Sequence, residues 1–138
     1  MSTALDLLRR HLAAADARDF DADETLFDPD VQTVTPGGTL KGWTEFRAMN
    51  ETLLTAMTEP HHEIVRSFAD GDTAIIEGVF TARHTGPMPT PDGGTIPPTG
   101  NTVSFPFACF FQARDGRCVS HHIYWDNMAM LAQLGALG

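Results

Sequence analysis

A chain of 138 residues, 42% of them hydrophobic, is long enough for one domain with a real core and too short to suggest two. Its formal net charge of −9 argues against nucleic acid or an anionic membrane surface as partner, because phosphates need Lys and Arg to neutralise them. No apolar run approaches the roughly 20 residues of a membrane span, the first residues lack the cationic and apolar regions of a signal peptide, and Cys109 and Cys118 form no CxxC pair. The expectation is a single domain over 1–138 in a reduced, cytoplasmic protein.

Residues 2–19 read as an amphipathic helix, with Leu5, Leu8, Leu12 and Ala15 at three- and four-residue steps. Ser2 or Thr3 can cap it, and Asp6 stands where a capping box after Thr3 needs it. His11 lies near the apolar stripe, either as a pocket base or as a boundary residue. The acidic run Asp16, Asp19, Asp21, Asp23, Glu24, Asp28 and Asp30 reads as a solvated helix end and turn. A second short helix fits 21–27, stopped by Asp28-Pro29. A short strand follows over 31–35, then the Pro36-Gly37-Gly38 turn and a return over 39–41.

The next helix is expected over 43–58, with Trp43, Phe46, Met49, Leu53, Leu54 and Met57 on one face and Asn50 among them. A buried amide needs partners, so Asn50 bonds either a ligand or the protein itself. Strands are expected over 61–69 and 72–85, joined at Asp70-Gly71. Ile76, Phe80, Ala82 and His84 share one face of the second. The Gly- and Pro-rich stretch 86–100 reads as a stiff loop, either a lid or a connection.

Strands over 102–113 and 117–125 are joined by Asp115-Gly116. A simple two-residue turn places Arg114 opposite Arg117. It then sets Cys109 opposite His122, Phe107 opposite Tyr124 and Phe105 opposite Asp126. One face would carry Phe105, Phe107, Cys109, Phe111, His122, Tyr124 and Asp126, a mixture suited to a ligand pocket. The other, with Ala108, Phe110, Val119, Ile123 and Trp125, also needs cover, for which a second subunit is a natural candidate. Asp126 stands where the last strand gives way to a short helix. Its carboxylate can cap that helix or hang over the pocket as an acid or base. The adjacent pairs His61-His62 and His121-His122 point to opposite faces of regular strands, which argues against a metal site.

Several segments together resemble a known family: Gly42-Trp43 opening a helix, Arg83-His84-Thr85-Gly86 ending a strand, Pro97-Pro98-Thr99-Gly100, Asp115-Gly116, and Asp126 followed by Met130-Leu131-Ala132-Gln133-Leu134-Gly135. The chain resembles the SnoaL-like polyketide cyclases, within the nuclear-transport-factor-two-like and ketosteroid-isomerase-like superfamily. The resemblance implies an α+β cone: a curved, mixed or antiparallel sheet wrapped by N-terminal helices, with a short C-terminal helix. It further implies a homodimer, no cofactor, and ring closure by intramolecular aldol condensation, with Asp126 as general acid/base assisted by His84 or His122. Relatives act also as isomerases, hydrolases or dehydratases, so fold and motif do not fix the chemistry.

On this reading Trp43, Asn50, Phe80, Phe105, Phe107 and Tyr124 contact a hydrophobic, carbonyl-bearing and aromatic or polycyclic molecule. Burial of Asp126 would make it a useful base near neutral pH, with a histidine or Tyr124 donating to the developing oxyanion. The competing readings are a binding protein without turnover and an interaction module using its apolar sheet face.

Overall fold

The computed structural model describes residues 3–90 and 92–135; Ser2, the alternative cap of the first helix, and Pro91 of the Gly/Pro-rich loop lie outside them. Helix α1 (Ala4–Asp16) begins at Thr3, whose hydroxyl accepts the Asp6 N–H while the Asp6 carboxylate accepts the Thr3 N–H, the capping box expected from the sequence. Its buried face is Ala4, Leu7, Leu8, His11, Leu12 and Ala15, so His11 belongs to the core stripe. Helix α2 (Phe20–Glu24) follows, and α3 (Trp43–Ala56) buries Trp43, Phe46, Leu54 and Ala56.

Six strands form one mixed sheet in the order β2-β1-β8-β7-β4-β3. They are β1 (Phe27–Thr35), β2 (Gly38–Lys41), β3 (Met57–Asp70), β4 (Thr73–His84), β7 (Thr102–Arg114) and β8 (Arg117–Trp125). Strand β1 starts at Phe27, four residues before the expected Val31, because Phe27 pairs with Cys118 despite Asp28-Pro29. Within the expected loop, β5 (Met88–Pro89) and β6 (Thr95–Ile96) make a small hairpin. The last helix, α4 (Asn127–Gln133), stops at Gly135, whose φ of +79° is the left-handed geometry of a helix stop.

The Gln-Leu-Gly end of the chain has a structural job. Strand β8 pairs with β7 only as far as Trp125 opposite Phe107. Beyond that, the Gln133 side-chain amide takes the place of a strand: its Oε1 accepts the Ser104 N–H at 2.6 Å and its Nε2 donates to the Ser104 carbonyl at 2.9 Å. Leu134, fully buried, anchors α4 behind it, and Met130 turns inward from the same helix.

The β7–β8 register differs from the expectation. The turn is tight, with Arg114 opposite Arg117 and positive φ at Asp115 (53°) and Gly116 (79°). A bulge follows at once: Ala113 pairs with Cys118 but Gln112 with Ser120, leaving Val119 unopposed. One extra residue inverts the phase of everything after it. Phe111 therefore faces His121, Cys109 faces Ile123 and Phe107 faces Trp125. His122 and Tyr124 move to the outer face beside Phe110, where Tyr124 is 49% exposed. The pocket face expected from the simple turn, with His122, Tyr124 and Asp126 among the phenylalanines, is thereby corrected.

Candidate active site

Helices α1, α3 and α4 close over the inner face of the sheet and leave a cavity of about 90 Å³. Its walls are mainly apolar: Phe46, Phe80, Phe105, Phe107, Ile123 and Trp125, with Met49, Met57 and Met130. Three polar side chains also reach it, His11, Asn50 and His62.

His11 projects from the buried face of α1. Its Nδ1 lies 2.8 and 3.0 Å from the two carboxylate oxygens of Asp23 on α2, which has no exposed surface. A desolvated carboxylate needs a donor, and His11 Nδ1–H supplies it. That bond fixes the ring so that Nε2 is its free nitrogen, the same logic by which a buried aspartate orients a catalytic histidine. The ring stands edge-on to Phe27 at 5.0 Å between centroids and to His121 at 5.2 Å.

A second pair of the same kind lies on β3. His62 Nδ1 is 2.6 Å from Asp16 Oδ1, and the His62 backbone N–H donates to Asp16 Oδ2 at 3.0 Å. Here the side chains are 17% and 22% exposed, against 6% and 0% for His11 and Asp23. The first pair is deep and the second is at the solvent-reachable end. Asn50 contributes an amide whose Nδ2 is buried with no hydrogen-bond partner among the described residues. Such a donor on a cavity wall suits a ligand oxygen. Cys109 also lines the cavity, but burial pushes its thiol up to about 12, which leaves it un-ionised near neutral pH.

Of the residues singled out from sequence, Asn50, Phe80, Phe105 and Phe107 are brought together on the cavity wall. Five others lie outside it. Asp126 is exposed and caps α4, its carboxylate accepting the Ala129 N–H at 3.0 Å. Trp43 is a core residue, stacked on Phe27 at 4.9 Å and donating from Nε1 to Glu24 at 2.8 Å. His84, fully buried at the end of β4, accepts the Thr99 N–H at its Nδ1 at 3.3 Å. Its backbone accepts from Gly100 and donates to Asn101, so the Pro97–Gly100 segment clamps the strand end. His122 and Tyr124 sit on the outer face for the register reason already given.

Two signals for these pairs are present in the sequence. His11 falls on the helical stripe, and Asp16 and Asp23 follow it in an acidic run whose charge reads as solvated. His62 stands beside His61, and the opposite faces of that pair argue against a metal without pointing to Asp16. Among the described residues no group of three His, Cys, Asp or Glu could hold a metal ion, and no helix is long and apolar enough to cross a membrane.

The fold has many counterparts among solved structures. AclR, a proposed hydroxylase from Streptomyces galilaeus, superposes with a TM-score of 0.81 at 23% identity over 96% of this chain and 95% of that one. A proposed SnoaL-like polyketide cyclase from Jannaschia sp. CCS1 gives 0.84 at 19% over 96% and 92%. A protein with a ketosteroid-isomerase-like fold from Catenulispora acidiphila, in complex with trimethylamine, gives 0.76 at 23% over 97% and 95%. At such identities the likeness establishes the fold alone. No curated protein sequence matches the chain. The sequence profile of the SnoaL-like domain matches residues 8–121, most of the chain, and the protein therefore belongs to the SnoaL-like family.

Proposed function

We propose that the protein is a cofactor-independent acid/base enzyme that enolises a small, hydrophobic carbonyl compound, with His11 as the base and Asn50 as donor to the carbonyl oxygen. The observation that carries this reading is the Asp23–His11 pair opening onto an apolar cavity. Proton removal next to a carbonyl needs a positioned base and a donor where negative charge develops, and both reach this cavity. The acid/base role thus passes from Asp126, which is engaged in capping, to His11. Family membership supports an enzyme of this general kind.

The cavity is smaller than the roughly 150 Å³ known to admit benzene. A substrate larger than a few carbons requires the flexible side chains of Met49, Met57 and Met130 to move. Butan-2-one is therefore a suitable first probe. In D₂O the wild-type protein is expected to accelerate exchange of its α-protons, followed by proton NMR. His11→Gln should lose roughly 10²–10⁴-fold of that acceleration, the usual range for a general base. Exchange no faster than in buffer, or equally fast in His11→Gln, overturns the assignment. Quenching of the cavity-lining Trp125 by butan-2-one without exchange would identify a binding protein instead.

The proposal extends to a homodimer over the outer sheet face. Phe68, Ile75, Phe110 and His122 form one cross-strand row there, with the Tyr124 ring 6.0 Å from Phe110. Sedimentation should give twice the chain mass for the wild type and a monomer for Phe110→Asp; a wild-type monomer at micromolar concentration rules the dimer out.

A further inference from the structure

Two carboxylate-oriented imidazoles on one small cavity are more than an enolisation needs. A single base can remove an α-proton and return it. We infer that His62, positioned by Asp16, is a second proton-transfer group, an acid, and that the substrate class is a β-hydroxy carbonyl compound from which the site eliminates water. This rests on the preceding assignment of His11 and Asn50.

The geometry separates the two roles. Both rings bind their carboxylate through Nδ1, so both leave Nε2 free, and both residues line the cavity. His11 is enclosed by Phe27, Phe46, Phe111 and His121, with a carboxylate that solvent does not reach. His62 packs against Phe80 and Phe107, at 4.8 and 5.2 Å between centroids, while Asp16 behind it stays in contact with water. The Asp16 carboxylate also lies 3.8 Å from His61 Nδ1 and is the group placed to balance positive charge on the His62 ring. The rim pair is the one that solvent can recharge with a proton after each turnover.

His11 Nε2 takes the proton from the carbon between carbonyl and carbinol, and the carbonyl oxygen leans on Asn50 Nδ2. The C–H electron pair becomes the new C=C bond. The C–O bond breaks with its pair going to oxygen, and that oxygen takes the Nε2 proton of protonated His62 and leaves as water. His11 has gained one proton and His62 has lost one; exchange with solvent restores both. The hydroxy carbonyl has become an enone plus water, with no oxidant or reductant.

The test uses 4-hydroxybutan-2-one, whose conjugated enone product has vinyl protons that proton NMR resolves, beside α-proton exchange of butan-2-one. Wild-type protein is expected to dehydrate the hydroxyketone with a bell-shaped pH profile, since a neutral base and a charged acid are needed together. His62→Gln should lower that rate at least 100-fold and remove the alkaline limb, while lowering butan-2-one exchange by less than tenfold. Asp16→Asn, which removes the carboxylate that holds the His62 ring, should lower the dehydration rate while lowering butan-2-one exchange far less. If wild-type protein exchanges butan-2-one but does not dehydrate the hydroxyketone, or if His62→Gln lowers both reactions equally, the second proton-transfer role is wrong and His62 only supports the wall. If butan-2-one exchange itself is absent, the failure belongs to the His11 assignment.

Discussion

Gly78→Ala is expected to destabilise the protein by about 3 kcal/mol, lowering the melting temperature by roughly 10 °C. Gly78 sits in β4 on the inner face, between Ile64 of β3 and Phe107 of β7. A Cβ placed there would stand 2.1 Å from the Glu63 carbonyl oxygen and 2.8 Å from two carbons of the Phe107 ring. The ring can swing, although only into the cavity it lines. The carbonyl cannot, because it belongs to the stretch of β3 where the pairing shifts between Ile64 and Arg66. The missing side chain thus lets a bulged edge strand and a flat aromatic share one position. Gly37→Ala is the control: its Cβ would meet nothing nearer than 3.7 Å, and a change within about 0.5 kcal/mol is expected. Equal melting temperatures for the two variants would dismiss the steric account.

The architecture was legible because its signals are local. Capping at Thr3, the stripe of α1, the Asp115-Gly116 turn and the stop at Gly135 each depend on a few neighbouring residues, and each is found as expected. The site was less legible because it depends on phase and on partners far apart in sequence. One unopposed residue, Val119, exchanged His122 and Tyr124 for His121, Ile123 and Trp125 on the inner face. The burial of Cys118 and His121, three residues apart, is the trace of that bulge, since an unbroken strand would send them to opposite faces. Sequence alone does not show burial.

The polar pairs were hidden for a related reason. Asp23 and Asp16 look like members of a solvated acidic run, and only the packing of α2 and β3 against α1 removes each from that run. His11 meets a carboxylate 12 positions away and His62 one 46 positions away. The capping role of Asp126, by contrast, is legible from its place at a strand-to-helix joint; its carboxylate accepts the Ala129 N–H and does not line the cavity.

His121 is expected to make the protein acid-sensitive in a window above that of the carboxylates. The ring is fully buried, with Phe27, Phe46, Phe111 and His11 around it and neither nitrogen hydrogen-bonded among the described residues. Burial, and then the nearness of His11 and His122, holds its pKa well below the usual 6.5. The unfolded chain binds a proton here below about pH 6.5 while the native protein does not, so the unfolded state holds more protons in that range. Stability is therefore complete above about pH 6.5 and declines as pH falls, with a slope approaching about 1.4 kcal/mol per pH unit from this residue. His121→Phe removes both the titration and two unpartnered nitrogens. Urea unfolding between pH 7 and pH 5.5, above the range where carboxylates titrate, should show a steep loss in the wild type and a much flatter line in the variant. Parallel lines for the two proteins would mean that the His121 ring reaches water in the native state, and that the aromatic cage around the candidate base is open.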